Sequence, residues 1–309
     1  MSWSASLDAD TSRRLDTIAR ALDESPASLV CVVGPTATGK TELAIDLAAR
    51  VGGEIVSADS VQIYRGFDLG SGKPTAAERS RCTHHLVDVV DPLEGWDAAT
   101  WAHAAEEKLA EIRARGRVPI VCGGTFFWVR ALVLGLVEAP RADEALRERH
   151  REIARTSGRA ALHALLRDVD PESASRLHPN DVVRVSRALE VFELTGKKMS
   201  TWQADHGFRD ARHASLMFAR AHDAADLTAR IRTRAAQWLD EGWIDEVAAL
   251  DAAGYGAARA MTSVGYREVK AHLDGALARE ALLDAIVTST RQFARRQRTW
   301  LGSANVTWL

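Results

Sequence analysis

The fold of this chain is decided by one stretch near its N-terminus, Gly34-Pro35-Thr36-Ala37-Thr38-Gly39-Lys40-Thr41. An apolar run precedes it at residues 29–33, and a segment with helical spacing of apolar residues follows at residues 42–49. This order of strand, glycine-bearing loop and helix predicts a phosphate-binding loop, because a helix N-terminus directs unpaired backbone N–H groups at an anion. The glycines let the backbone curl around phosphates, Lys40 supplies a positive charge, and Thr41 offers a hydroxyl to Mg²⁺. The stretch leaves open which phosphates are bound and whether phosphoryl transfer takes place.

The composition is that of an ordinary soluble globular protein, with 309 residues, of which 46% are hydrophobic and 27% charged. This length is enough for one large domain or two smaller ones. No apolar run approaches the roughly 20 residues of a membrane span, and residues 1–27 lack the apolar centre of a secretion signal. We therefore expect a cytoplasmic protein without a membrane partner.

The net charge limits the kind of nucleic-acid site that is expected, and the cysteine content limits the expected disulfide and metal sites. The formal net charge of −2 argues against a global basic field, so any nucleic-acid site must be local. Two of the three cysteines, Cys31 and Cys122, lie in predicted core strands, and Cys82 stands alone. This pattern indicates neither a disulfide framework nor a zinc site.

Two further strands are predicted to end in polar residues. Residues 54–60 predict a strand that carries a carboxylate, Asp59, at its C-terminal end. Residues 118–122 predict a central strand, which is followed by Gly123, Gly124 and Thr125. In open α/β sheets the ligand crevice lies at the carboxyl ends of the strands, so both polar ends are expected beside the phosphate loop. Asp59 could instead cap the next turn or support a magnesium ion. The central strand lacks the acidic end that many nucleotide hydrolases carry, and this weakens an ATPase reading.

The helical character of the middle of the chain predicts its domain organisation. Residues 143–217 contain several helix-like segments and little strand signal. We therefore predict an α/β fold, a P-loop NTPase-like parallel sheet core with an inserted all-helical subdomain. The core comprises residues 1–141 and 218–309, the latter with C-terminal helices, and the insertion comprises residues 142–217.

Arginines on two predicted helices are candidates for phosphate contacts. Arg184 and Arg187 are three residues apart on the last helix of the insertion, where a solvated face is the alternative. Near the C-terminus, Arg291, Arg295 and Arg298 fall at i, i+4 and i+7 and form a cationic stripe without acidic residues to balance it. Such a stripe favours recognition of a phosphate backbone.

Taken in order, these stretches resemble the tRNA dimethylallyltransferase family, the isopentenyltransferases that modify the adenosine following the anticodon. The resemblance spans residues 32–308 and rests on the phosphate loop, Ser57-Ala58-Asp59-Ser60 with Gln62 and Tyr64, Gly123-Gly124-Thr125, His178-Pro179-Asn180-Asp181 followed by Arg184, Arg187-Ala188-Leu189-Glu190, Val264-Gly265-Tyr266-Arg267, and Arg296-Gln297 with Thr299-Trp300-Leu301. Two departures are Thr38, where serine is commoner, and Ser71-Gly72, where Thr-Ala is commoner.

The resemblance implies that the loop binds the pyrophosphate of dimethylallyl diphosphate rather than ATP. The exocyclic N6 of adenine at position 37 would attack the allylic C1, in tRNAs reading codons beginning with U, and pyrophosphate would leave. Residues 34–41, with Mg²⁺ at Thr41, would stabilise the leaving charge, and Arg230 would be a further pyrophosphate ligand. Asp59 would take the N6 proton as general base, with Thr125 beside the reacting groups.

The same resemblance implies a grip on the anticodon stem-loop of tRNA by a protein that acts as a monomer. The expected tRNA contacts are Asp59, Ser60, Val61, Gln62, Thr125, Arg147, Val183, Arg184, Val185, Ser186, Arg187, Thr262, Ser263, Val264, Gly265, Tyr266, Arg267, Arg295, Arg296, Gln297, Arg298, Thr299, Trp300 and Leu301. Because the target base must leave the stacked loop, aromatic and arginine surfaces are suited to accept displaced bases.

Three other functions share parts of this pattern. A small-molecule or nucleotide kinase would share the phosphate loop, and an adenylate isopentenyltransferase would share the chemistry but act on a free nucleotide. The arginine stripe and the insertion favour RNA over a free nucleotide. An RNA-binding protein with a phosphate-sensing loop is the third, and the convergence of Asp59 and Thr125 on the crevice argues against it.

Overall fold

The computed structural model describes residues 9–137, 139–207, 211–302 and 304–309. The chain forms two compact units. The first contains the described residues up to Val133 and those from His213 onward, and the second is Leu134–Arg212.

The first unit is built on a six-stranded sheet in which every paired neighbour is parallel. Its strands are β1 (Leu29–Val33), β2 (Gly53–Ser57), β3 (His84–His85), β4 (Val118–Gly123), β5 (Ser215–Ala219) and β6 (Val306–Trp308). The order across the sheet is β3-β2-β4-β1-β5-β6. The predicted parallel sheet is confirmed. Since β1, β2 and β4 are neighbours and run the same way, their carboxyl ends meet at one edge.

Helices connect the strands and build the whole of the second unit. They are α1 (Ala9–Glu24), α2 (Lys40–Val51), α3 (Ala76–Arg81), α4 (Ala98–Ala114), α5 (Phe126–Leu134), α6 (Glu144–Thr156), α7 (Arg159–Val169), α8 (Pro171–Arg176), α9 (Val182–Thr195), α10 (Met199–His206), α11 (Ala224–Asp240), α12 (Trp243–Leu250), α13 (Tyr266–Leu273) and α14 (Arg279–Leu301). A short π-helical segment at Asp251–Tyr255 and a 3₁₀ turn at Arg259–Thr262 lie between α12 and α13. No helix within the described ranges is long and apolar enough to cross a membrane.

The core of the first unit forms because parallel strands are covered on both faces. All five residues of β1 are buried. The predicted N-terminal helix is present as α1, and its buried residues Leu15, Ile18 and Leu22 belong to the same apolar cluster as β1 and α2. The helix thus covers one face of the sheet next to the phosphate loop.

The second unit consists of α6 to α10 around its own small core. Leu162, Leu166, Val185, Ala188 and Leu189 form the buried centre of that core. Its limits differ from the predicted insertion at residues 142–217. The predicted C-terminal end falls inside β5, whose residues Ser215 to Phe218 pair with β1. The boundary therefore moves to Arg212, since a strand hydrogen-bonded into the central sheet belongs to the core.

Candidate active site

The phosphate loop has the backbone conformation that its glycines make possible. Gly39 has φ of 77° and directly precedes the first residue of α2, and Gly34 has φ of 150°. Ala37 also has a positive φ, 65°, which is unusual for a residue with a side chain. The buried Thr38 hydroxyl donates a hydrogen bond to Pro35 O at 2.9 Å, which stabilises the conformation of the loop. The N-terminus of α2 is therefore open toward the edge of the sheet where an anion binds.

Two arginines of α11 close over the loop. Arg230 Nε donates to Ala37 O at 2.9 Å, and Arg234 Nη2 donates to Thr36 Oγ1 at 2.6 Å. Arg230 was predicted as a pyrophosphate ligand from the sequence. Arg234 was not, although its position one turn after Arg230 places it on the same helix face.

Within the described part of the chain, Lys40, Arg230 and Arg234 form hydrogen bonds with the phosphate loop and no ion pair with a carboxylate. Burial and, to a smaller extent, the neighbouring Arg230 lower the pKa of Arg234 to about 10, although Asp59 acts in the opposite direction. Burial also lowers the pKa of Lys40, with Asp59 raising it and Arg234 lowering it. Burial and like charge thus disfavour the charged forms of Lys40 and Arg234. An anion that binds between them would stabilise both charges.

Asp59 follows the end of β2, and its two carboxylate oxygens have different contacts. Its Oδ1 accepts from the backbone N–H groups of Val61 at 2.9 Å and Gln62 at 3.3 Å. Its Oδ2 has no hydrogen-bond partner within the described residues, and the side chain lines the same cleft as Lys40 and Thr41. Asp59 can therefore both cap the turn and take part in a reaction, because each role uses a different oxygen.

Thr125 is tied to the residue next to Asp59. Its Oγ1 accepts from Ser60 N at 3.0 Å, and its own N–H donates to Ala58 O at 3.0 Å. The approach of the two strand ends depends on Gly123, because a Cβ there would stand 2.1 Å from Ala58 O. The glycine therefore allows the ends of β2 and β4 to come close enough to bring Thr125 beside Asp59.

Gln297 of α14 links the phosphate loop to the end of β4. Its Oε1 accepts from Thr36 N at 2.9 Å, and its Nε2 donates to Gly124 O at 2.8 Å. The side chain is 7% exposed. The amide of Gln297 thus has a structural role, and the predicted tRNA contact of this residue stays a prediction.

A cleft of about 340 Å³ joins these groups within the first unit. One part of its lining is polar and includes Lys40, Thr41, Asp59, Thr125, Arg234 and Gln297. Another part is apolar and includes Ile231, Ala235, Trp238, Trp243, Ile286 and Phe293. The cleft therefore suits a molecule with a charged diphosphate and a small apolar group.

The loop after Asp59 is held over this cleft by α12. Glu246 accepts from Leu69 N at 2.8 Å and from Tyr266 Oη at 2.6 Å. The buried ring of Trp243 occupies the space that a Cβ at Gly70 would need, at 2.2 Å. Gln62 Nε2 donates to the carbonyl groups of residues 71 and 72 at 3.1 and 2.9 Å. The side-chain amide of Gln62, a predicted tRNA contact, thus holds this loop.

Several other predicted tRNA contacts lie in the interior. In the first unit Gly265, Tyr266 and Leu301 are buried. In the second unit Val185 belongs to the core, and the buried Ser186 hydrogen-bonds to the ring of His150. Burial and internal hydrogen bonds account for the positions of these residues, and their tRNA contacts stay predictions.

Arg147 and Arg187 of the second unit are partners of the fully buried Glu190. Arg147 Nε donates to Glu190 Oε1 at 2.9 Å, and Arg187 donates to Glu190 and to Pro140 O. A carboxylate at 0% exposure requires such partners, so both arginines stabilise the unit internally. In the same helix the side chain of Val183 is 80% exposed, and Arg184 is exposed and pairs with Asp181.

The predicted arginine stripe lies on the surface of α14. Arg291, Arg295 and Arg298 are exposed and, in the described ranges, lack an acidic partner within ion-pair distance. Arg296 lines the cleft and lies 5.9 Å from the ring of Phe293. The arginine stripe therefore lies on the same helix as Arg296 and Phe293, two residues that line the cleft.

Comparison with known proteins supports the same reading of the site. A family model described as IPP transferase matches residues 62–304. The chain belongs to this family. A tRNA dimethylallyltransferase from Sorangium cellulosum is 62% identical over 285 residues, which cover 92% of this chain and 91% of the relative.

Solved structures of the family share the fold. The full-length tRNA isopentenylpyrophosphate transferase from Bacillus halodurans matches with a TM-score of 0.68 and 37% identity, covering 92% of this chain and 89% of that one. A eukaryotic dimethylallyltransferase acting on tRNA matches with a TM-score of 0.74 and 25% identity, covering 91% of this chain and 73% of that one. The predicted P-loop NTPase-like fold class and the predicted family are confirmed.

Proposed function

We propose that this enzyme transfers the dimethylallyl group of dimethylallyl diphosphate to N6 of adenine 37 in tRNAs reading codons beginning with U, and releases pyrophosphate. The observation that carries the proposal is the meeting of the phosphate loop, Arg234 and Asp59 in one cleft that also has apolar lining residues. The family supports the same reaction, because its relatives are named tRNA dimethylallyltransferases.

The phosphate loop holds the leaving group in this proposal. Backbone N–H groups at the start of α2, the Lys40 ammonium and the guanidinium groups of Arg230 and Arg234 surround the diphosphate. As the C1–O bond breaks, negative charge grows on the diphosphate, and these preorganised donors stabilise it more than they stabilise the bound substrate. No phosphoryl group is transferred, so the loop serves as an electrostatic cradle.

Asp59 is the proton acceptor. Nitrogen N6 attacks C1 of the allyl group, the C1–O bond to the diphosphate breaks, and Oδ2 of Asp59 takes a proton from N6. The hydrogen bonds of Oδ1 to Val61 N and Gln62 N hold the carboxylate in one orientation while Oδ2 reacts. Thr125, fixed to Ser60, lies beside this carboxylate and positions the amino group.

The polar end of the cleft also fits Mg²⁺. The Thr41 hydroxyl lines it and is the protein donor proposed for the ion. Mg²⁺ is usually bound by few protein ligands together with substrate phosphates and waters, so a site with so few protein donors is suitable. When bound, the ion supplies additional charge neutralisation for the diphosphate.

The tRNA is proposed to bind along exposed cations of α14 and at exposed residues of α9. Arg295, Arg298 and Trp300 lie on the surface of α14, and Val183 and Arg184 on the surface of α9. Phosphate contacts by the arginines would set the affinity, and the aromatic ring offers a stacking surface for a displaced base. The cytoplasmic location and the monomeric state stay predictions.

One assay tests the proposal against its alternatives. The protein is incubated with Mg²⁺ and labelled dimethylallyl diphosphate in the presence of either tRNA or AMP. We expect label in tRNA, at an adenosine that follows the anticodon. Label in AMP alone would identify a free-nucleotide isopentenyltransferase, and ATP turnover with indifference to prenyl diphosphate would identify a kinase.

A further inference from the structure

Arg220, directly after β5, lies against the phosphate loop. The distances to Gly39 define its position, because an ideal Cβ at this glycine would stand 2.6 Å from Arg220 Nη1 and 3.6 Å from Arg230 Nη2. Two guanidinium groups therefore converge on the residue that directly precedes α2. A helix N-terminus with two arginines beside it is a strongly positive environment.

The two arginines differ in what they bind. Arg230 donates through Nε to Ala37 O at 2.9 Å and so is anchored by the loop. The Nε of Arg220 is buried and has no hydrogen-bond partner among the described residues. Arginine has five N–H donors and no acceptor, and none of the described carboxylates forms an ion pair with this half-buried guanidinium, so the partner that normally offsets burial is missing there.

The electrostatic surroundings of Arg220 are also predominantly cationic. Burial lowers its pKa, and the neighbouring Arg14 and Arg230 lower it further, while Glu42 and Asp10 oppose them less strongly. Among the described residues, Arg14 Nε of α1 is likewise buried without a hydrogen-bond partner, whereas Arg14 Nη2 pairs with Asp10 at 2.5 Å. A partly buried Arg220 guanidinium beside a second arginine and a phosphate loop would be stabilised by an anion.

We propose that Arg220 is a third diphosphate-binding arginine, which acts with Arg230 on the phosphate groups held at the N-terminus of α2. The inference rests on the proposed function and names a residue for the same site. The guanidinium supplies charge-assisted hydrogen bonds to the diphosphate of the substrate and to the pyrophosphate that leaves. A hydrogen bond to a charged group is worth about 1.5–3 kcal/mol, which corresponds to a change in affinity of roughly 10-fold to 100-fold.

The test compares Arg220→Gln with a control on α11. Arg232→Gln is suitable, because Arg232 is exposed and pairs with Asp284 away from the loop. For each variant, the dissociation constant of inorganic pyrophosphate with Mg²⁺ is measured by calorimetry, and KM values are measured for dimethylallyl diphosphate and tRNA. Thermal unfolding is followed in parallel.

We expect Arg220→Gln to weaken pyrophosphate roughly 10-fold to 100-fold and to raise KM for the prenyl substrate. The KM for tRNA and the melting temperature stay as in the parent protein, and Arg232→Gln changes none of these values. Unchanged pyrophosphate affinity would overturn the inference. So would an equal loss in Arg232→Gln, a loss confined to tRNA, or a loss accompanied by unfolding, since these would indicate a general charge effect, an RNA contact or a structural role.

Calorimetry with pyrophosphate tests the role of Arg220 independently of the proposed transfer reaction. Pyrophosphate binding does not require prenyl transfer, so it is measured whether or not tRNA becomes labelled. If the parent protein binds pyrophosphate through Arg220 but leaves tRNA unmodified, the proposed reaction fails and the assignment of Arg220 stands.

Discussion

Replacing Asp59 separates its two roles, because each of its oxygens has a different task. Asp59→Asn keeps an oxygen that can accept from Val61 N and Gln62 N, whereas Asp59→Ala removes it. Both variants remove the carboxylate that would take the N6 proton. Comparing the two variants therefore separates the loss of the catalytic base from the loss of the hydrogen bonds that stabilise the turn.

The expected magnitudes follow from these contacts. Loss of a positioned base lowers the rate of transfer by about 10² to 10⁴, or about 3 to 5 kcal/mol of activation free energy, in both variants. Oδ1 caps the turn through two hydrogen bonds, at 2.9 and 3.3 Å, and replacing such a capping side chain by alanine costs up to about 2 kcal/mol. Only Asp59→Ala should therefore lose about 1–2 kcal/mol of unfolding free energy.

Binding of the prenyl substrate should not weaken in either variant. The carboxylate of Asp59 shares a cleft with the diphosphate site and raises the pKa of Lys40 there. Two like charges in one cleft repel each other, so removing the carboxylate leaves the affinity for dimethylallyl diphosphate equal or higher. Affinity for tRNA is expected to be nearly intact.

The assay is single-turnover transfer of labelled dimethylallyl to tRNA, with urea unfolding and tRNA binding measured on the same preparations. Asp59→Glu serves as a further variant, since it keeps the charge but moves it by one methylene. An Asp59→Asn protein that retains activity within about threefold of the parent would refute the assignment of the base. A loss of tRNA binding that accounts for the whole drop would refute it as well.

Three further predictions test other parts of the molecule. Arg295→Ala and Arg298→Ala should each weaken tRNA binding and reduce the slope of log affinity against log salt by about 0.7 to 0.9, and unchanged slopes would remove the stripe from the tRNA site. Burial alone would raise the pKa of Glu190, but hydrogen bonds from Arg187, Asp143 N and Arg147 hold it below the ordinary value. Its stabilising contribution is thus present above the pKa of an unfolded glutamate and is lost as the pH falls through the folded value. Glu190→Gln should lower unfolding free energy by about 2 to 3 kcal/mol at pH 7, with a smaller difference from the parent at pH 3 in urea titrations. Chelation with EDTA should suppress transfer and weaken pyrophosphate binding, with recovery on adding Mg²⁺, and full activity in EDTA would remove the metal from the mechanism.

Local patterns predicted the centre of the site. The phosphate loop is a continuous segment, and Asp59 and Thr125 follow strands whose apolar runs are legible in the sequence. Because parallel neighbours end at one edge, two strand ends were enough to expect these residues beside the loop. The predicted helical character of the middle segment rested on periodicity in the same way.

Burial on amphipathic helices was less predictable. Tyr266 belongs to the motif Val264-Gly265-Tyr266-Arg267, in which Arg267 is exposed, yet Tyr266 faces the interior. A motif marks residues that occur together and does not tell which face of a helix packs inward. The end of the insertion was misplaced for a related reason, since the short run of β5 becomes a strand through its pairing with β1.

The sequence alone determined the phosphate loop, the parallel α/β core and the acid at the end of β2, because each depends on neighbouring residues along the chain. Only the tertiary structure decided that Arg220 and Arg234 approach the loop and that Gln297 bridges it to Gly124. Arg234 and Gln297 lie 198 and 261 residues beyond the loop residue Thr36 that they contact. Contacts over such separations follow from the packing of α11 and α14 against the carboxyl edge of the sheet, which no local pattern encodes.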